Sequence, residues 1–221
     1  MIIYLMHWPK DIEEARDIQN RLREEVKAVP LDRELSLIAG VDAAFMGDTI
    51  IAAVCLYKYP EITLIEDAHA VEKVTFPYIP GFLSFREGPA FISAVNKLSA
   101  KPDVLLIDGQ GIAHPRGLGI ASHIGVLLDM PTIGCAKSLL VGRYEAPGNK
   151  KGSWSPLKYK GNVIGAVLRT RDNTNPVFVS VGHKIDLESS IKIVLSCTGK
   201  YRIPEPVRRA DMLSKKLKME L

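Results

Sequence analysis

The chain has 221 residues, 47% of them hydrophobic and 24% charged, with a formal net charge of +4. That balance suits a globular protein with one sizeable core. No apolar run approaches the ~20 residues of a membrane span, so no membrane partner is expected. Three isolated cysteines, Cys55, Cys135 and Cys197, exclude a disulfide framework and a Cys-x-x-Cys zinc site.

Residues 1–9, Met-Ile-Ile-Tyr-Leu-Met-His-Trp-Pro, lack a basic leader and a small-residue cleavage site. No secretory signal is therefore expected, and the reading is a cytoplasmic protein. The charge is unevenly spread. Residues 1–136 carry 12 basic and 18 acidic side chains, whereas residues 137–171 carry 8 basic and 1 acidic. An acidic front half and a basic back half suit a protein that binds a cation with one and phosphates with the other. Solvated lysine-rich surface is the competing reading of the same charges.

Asp11 to Val26 predicts an amphipathic helix: Ile12, Ala15, Ile18, Leu22 and Val26 recur at spacings of three and four. Asp11 followed by Glu14 gives it a cap-like start. Leu37 to Phe45 and Thr49 to Tyr57 are apolar β-rich runs joined by Met-Gly-Asp, a hairpin signal. Tyr-Pro-Glu at 59–61 turns the chain into a third run, Ile62 to Val71. Short turns between successive strands predict an antiparallel meander. Asp42 lies inside the first run, in Ala-Gly-Val-Asp-Ala-Ala-Phe. It either faces solvent from an edge or belongs to a site, and its apolar neighbours favour the site.

Phe-Pro-Tyr-Ile-Pro-Gly at 76–81 is a rigid loop with Tyr78 held between prolines. Ser84 to Leu98 is expected to be a helix with Phe85, Phe91, Ile92, Val95 and Leu98 on its apolar side and Glu87 in its first turn. A Glu there can be a mere dipole partner. Val104 to Ile107 reads as a buried strand. It ends in Asp108 and a loop bearing Gly109, Gly111, Gly117 and Gly119, with His114, Arg116 and His123 close by. A carboxylate at the exit of a buried strand is costly unless paired or metal-bound, and glycines let backbone approach a ligand closely. Gly117-Leu-Gly-Ile-Ala-Ser122 mimics a dinucleotide fingerprint, but no strand precedes its first glycine, so no nucleotide cofactor is expected.

A helix around Ile120 to Leu128 and a strand Thr132 to Ala136 lead into Lys137. The stretch Tyr144 to Lys160 is basic and rich in Gly and Pro, and is expected to be loop. Strands follow at Val163 to Arg169 and Val177 to Val181, then helices at Asp186 to Leu195 and Val207 to Leu217, the last carrying Asp211. No repeat or linker interrupts the chain, so a single domain over 1–221 is expected.

Carboxylates gathered by a meander–helix–strand order form an oxygen-ligand cage suited to Mg²⁺ or Mn²⁺. Two such ions can activate water and stabilise the leaving oxygen of a phosphodiester. This order resembles the ribonuclease H-like fold: a mixed central sheet, an antiparallel three-strand meander plus parallel strands, flanked by helices. Within it the chain is similar to the endonuclease V family. The resemblance rests on Gly-Val-Asp at 40–42, Phe-Pro-Tyr-Ile-Pro-Gly-Phe-Leu-Ser-Phe-Arg-Glu at 76–87 and Asp-Gly-Gln-Gly-Ile-Ala-His-Pro-Arg-Gly-Leu-Gly-Ile-Ala-Ser-His at 108–123. It continues through Ile-Gly-Cys-Ala-Lys-Ser at 133–138 and Tyr-Arg-Ile-Pro-Glu-Pro at 201–206.

The resemblance implies a DNA repair endonuclease. In that reading Asp42, Glu87 and Asp108 are metal ligands, and Lys137 stabilises the attacking water or the scissile phosphate. Asp211 stands at a position of Asp or His in the family and is assigned to the metal site. Pro77, Tyr78, Ile79 and Pro80 form a wedge, with Tyr78 filling the opened stack. Gly81, Leu83, Gly109, Gly111, His114 and Ile120 line a pocket for a flipped base. The hydroxyl residue often seen two after the metal Asp is Ala44 here. The implied reaction is Mg²⁺-dependent hydrolysis, with Mn²⁺ as substitute, of the second phosphodiester 3′ to deoxyinosine. It leaves 3′-hydroxyl and 5′-phosphate ends, and the implied enzyme acts as a monomer. An endoribonuclease for inosine-containing RNA and a non-catalytic nucleic-acid-binding module are the alternatives.

Overall fold

The computed structural model describes residues 8–221; most of the stretch inspected for a leader lies outside them. Eight strands form one sheet: β1 Leu37–Met46, β2 Thr49–Lys58, β3 Thr63–Lys73, β4 Val104–Ile107, β5 Thr132–Ala136, β6 Trp154–Tyr159, β7 Asn162–Leu168 and β8 Val177–His183. Their order across the sheet is β3-β2-β1-β4-β5-β8-β7-β6. The meander β1–β3 is antiparallel, β4 lies parallel to both β1 and β5, and β8, β7 and β6 return antiparallel. The mixed sheet and its flanking helices have the expected ribonuclease H-like arrangement.

Helices α1 Ile12–Leu22, α2 Leu83–Val95 and α3 Ile120–Leu128 pack on one face. Their core includes Leu22, Phe85, Phe91 and Ile124 against Val41, Val54, Leu105 and Ile107. Helices α4 Leu187–Ser196 and α5 Glu205–Glu220 cover the other face over Ile38, Cys55, Val104, Leu106, Ile133 and Cys135. Alternation along a strand decides which residue meets which layer. Asp42 shares the parity of Ile38, Asp108 that of Leu106, and Lys137 that of Cys135. Asp42 from within β1, and Asp108 and Lys137 from just past the ends of β4 and β5, therefore all point toward the side of α5.

Two elements differ from expectation. The stretch 144–160 contains a strand, β6, whose Ser155 and Leu157 are buried while Trp154, Pro156 and Lys158 are exposed. Its proline is tolerated because β6 is the last strand of the sheet, and on its outer side no further strand needs the N–H that proline lacks. Lys160 and Gly161, both at positive φ, make the tight turn into β7. Helix α2 begins at Leu83, so Glu87 sits beyond its first turn, and a dipole role no longer accounts for it. Among the described residues no helix is long and apolar enough to cross a membrane.

Candidate active site

Asp42, Asp108 and Asp211 each place a carboxylate oxygen within 4.8 Å of the others. Asp211 arrives from α5, one turn after Val207, whose backbone nitrogen would lie 2.4 Å from a Cβ on Gly40. Only a glycine on β1 lets the helix come so close. Asp42 is held in place by Ala43 N–H, which donates to its Oδ1 at 2.8 Å. Burial, and then the charge of Asp108, raise the Asp42 carboxyl to about 9. For Asp211 burial works upward, but hydrogen bonding from Lys215 and the charge of Lys137 outweigh it, so its carboxyl lies below the usual range.

The ammonium of Lys137, at the end of β5, contacts all three carboxylates. It bonds Asp108 Oδ2 and stands 3.5 Å from Asp211 Oδ1 and 3.9 Å from Asp42 Oδ2. Glu87 comes from α2 on the opposite face of the sheet and is not among the three clustered carboxylates. It is near enough to feel them: burial first, and the charge of Asp108 second, push it up to about 8. Crowded carboxylates shielded from water and left short of positive charge fit a divalent cation, and an all-oxygen donor set fits a hard one.

Beside this cluster lies a cavity of about 420 Å³. Tyr78, Ile79, Pro80, Gly81, Leu83, Gly109, His114 and Ile120 line it, and Asp108 and Lys137 belong to its wall as well. Gly111 does not line it. Its nitrogen donates to Ser180 Oγ at 2.8 Å, and a Cβ there would fall 1.9 Å from Val181 O. That glycine is required by packing against β8. Pro77 faces a shallow groove formed with Lys10, Asp11 and Phe76 instead.

The loop at 76–81 stands on fixed roots. Phe76 is buried, and its carbonyl accepts from Arg86 Nη1 at 3.0 Å. The carbonyl of Gly81, at φ +81°, accepts from Gln19 Nε2 at 2.9 Å, His114 Nε2 at 3.1 Å and Arg116 Nη2 at 2.5 Å. Tyr78 itself is 70% exposed. Burial and the neighbouring Arg116 charge hold His114 down near 4, so its ring is neutral. Sequence reasoning missed Gln19, Arg86 and Arg116 as supports. It also missed Gln110, Ser138, Leu139 and Leu140 in the cavity wall. Their neighbours in the chain carried the only signal.

A sequence profile of the Endonuclease V family matches residues 20–212. The endonuclease V of Trichormus variabilis is 53% identical over 218 residues, spanning 97% of this chain and 99% of its own. The chain belongs to the endonuclease V family. The crystal structure of the Streptomyces avermitilis endonuclease V superposes with a TM-score of 0.92 at 41% identity, covering 96% of this chain and 95% of its own. The Ciona intestinalis endonuclease V, crystallised with a DNA containing an inosine followed by a ribo-adenosine, superposes with a TM-score of 0.84 at 29% identity over 94% of this chain and 97% of its own. As an endonuclease V family member the chain is a nuclease, a hydrolase of phosphodiester bonds, and its acidic cluster is a group that could hold the metal.

Proposed function

We propose that this endonuclease V family member hydrolyses, with Mg²⁺, the second phosphodiester 3′ to deoxyinosine in DNA, leaving 3′-hydroxyl and 5′-phosphate ends. The observation that carries the reading is the sharing of Asp108 and Lys137 between the acidic cluster and the cavity wall. A base lodged in the cavity thereby sets the strand's position against the cluster. The Ciona relative's complex with inosine-containing DNA supports the choice of base.

Asp42, Asp108 and Asp211 would hold the divalent ion, with Glu87 adding a carboxylate from the α2 side. Such an ion supplies Lewis acidity at the phosphate and lowers the pKa of water. Lys137, whose ammonium is held among the three aspartates, places positive charge where negative charge grows on the phosphate oxygens. Tyr78, exposed on its proline-braced loop, stacks into the gap left by the extruded base.

In the cavity, Leu83 is the first residue of α2, and its N–H has no partner within the helix. It can donate to the 6-carbonyl of hypoxanthine but would oppose the 6-amine of adenine. Ile120 closes the side next to Gly109, where a Cβ would lie 2.5 Å from Ile120 Cγ2. That wall would exclude the 2-amino group of guanine.

The test is incubation of a labelled strand carrying one deoxyinosine with the protein, with and without Mg²⁺. A single metal-dependent nick one nucleotide beyond the inosine's 3′ neighbouring bond is expected. An uncut strand, or a cut insensitive to chelator, refutes the reading. The ribo-adenosine in the Ciona complex favours testing a second reading, inosine-containing RNA, with the matched ribo strand.

A further inference from the structure

We infer that Gln110 selects the base by accepting a hydrogen bond from the N1–H of a 6-oxopurine, the one hydrogen-bond donor on the ring edges of hypoxanthine. This deepens the proposed function and rests on its placing of the base in the cavity. Gln110 is 8% exposed and lines that cavity. Its Nε2 donates to Ser138 O at 3.0 Å, tying the loop after β4 to the loop after β5. Its Oε1 is buried and has no hydrogen-bond partner among the described residues.

Turning the amide over would set its oxygen against the Ser138 carbonyl and leave the amine unpaired, so the orientation is fixed by chemistry. An unpaired buried acceptor is uncommon and costly. Here the side chain that carries it lines a base-sized space.

The backbone beneath it is fixed. Gln110 O accepts from Ala121 N at 3.0 Å, and a Cβ on Gly119 would meet that oxygen at 2.3 Å. The amide is therefore held ready before any base arrives. Adenine presents a lone pair at N1, so it would set acceptor against acceptor. Guanine shares the N1–H, so Gln110 leaves its rejection to the wall at Ile120.

The test compares binding, with metal chelated so that no strand is cut, to oligonucleotides carrying hypoxanthine or unsubstituted purine at one position. Purine lacks both the carbonyl and the N1–H. Gln110→Met keeps the length of the side chain but removes its acceptor. Gln110→Asn retracts the amide by one methylene.

Both variants should lose affinity for the hypoxanthine strand by about ten- to a hundredfold, while affinity for the purine strand stays level or improves. Equal losses on both strands, or no loss, would overturn the inference and leave Gln110 as a tether for Ser138. Wild-type protein that binds hypoxanthine and adenine strands alike would overturn the proposed function first, and this assignment with it.

Discussion

Gly40 and Pro206 meet backbone to backbone: a Cβ on Gly40 would fall 2.2 Å from the carbonyl carbon of Pro206. That contact lets α5 lie on β1 and bring Asp211 to Asp42. Gly40→Ala must push the start of the helix away. Overpacking of this kind costs about 1–3 kcal/mol, and the displaced element carries a carboxylate of the cluster. The expected outcome is a lower urea midpoint together with a higher Mg²⁺ requirement for nicking. A loss of stability with an unchanged metal requirement would show that α5 is not what sets the cluster.

The meander, the site strand and the carboxylates Asp42 and Asp108 were legible because strands announce themselves as apolar runs and a charge inside or at the end of one stands out. Asp211 was legible only through family resemblance. On an exposed helix with Lys215 four residues on, it reads as an ordinary surface pair, and only the close approach at Gly40 turns it inward. Strand β6 was hidden because Gly, Pro and Lys signal loop. An edge strand buries only Ser155 and Leu157, too few for a visible period. Gly111 was misplaced because a glycine needed for packing against Val181 looks, in sequence, the same as one needed for a ligand. Gln110 gave no signal at all, since its meaning lies in an unpaired oxygen.

The acidic cluster makes a prediction that separates stability from activity. Asp42 is raised to about 9, chiefly by burial and then by Asp108, whereas an unfolded Asp ionises near its ordinary value of 3.8. The native state therefore holds a proton that the unfolded state releases, and stability falls as pH rises through that window. Asp42→Asn removes the penalty. Without metal, the variant should melt no lower than wild type at pH 8. Wild type should gain roughly 2.7 kcal/mol when Mg²⁺ reaches 100 times its dissociation constant. The variant should gain far less and should not nick. Melting curves with and without Mg²⁺ check both halves, and an equal gain in the variant would remove Asp42 from the ligand set.

His123 sets a second pH window. It is buried against Trp8 and Phe85, with its Nδ1 2.9 Å from Ser84 Oγ. Burial lowers it from 6.5 to about 3. Between those values the unfolded chain takes up a proton that the native ring refuses, so stability is complete above about pH 6.5 and is lost as pH falls toward 3. The slope from this one ring is about 1.4 kcal/mol per pH unit. His114, lowered to about 4, adds to it over a narrower range. His123→Leu loses the Ser84 bond at every pH, so its stability should be lower at neutrality but should fall less steeply on acidification. Urea unfolding at half-unit intervals from pH 7 to 4.5 reads the slope. Parallel curves for the two proteins would mean that the ring is protonated in the native state.

In the proposed function Tyr78 joins the fold to the nucleic acid. Its ring is 70% exposed, yet the loop that carries it is braced by the buried Phe76 on one side and by the triply bonded Gly81 carbonyl on the other. An exposed aromatic on a rigid loop contributes little to stability, so Tyr78→Ala should melt as wild type does. If the ring stacks into the opened strand, the same change should weaken binding to inosine-containing DNA by roughly 1–3 kcal/mol. Tyr78→Phe should keep most of the affinity, because stacking needs the face of the ring and not its hydroxyl. Arg116→Ala should reproduce part of the loss with Tyr78 intact, since it frees one of the three bonds that hold Gly81. Titration at fixed salt distinguishes these outcomes. A Tyr78→Ala variant that binds as tightly as wild type would show that the ring stays outside the strand.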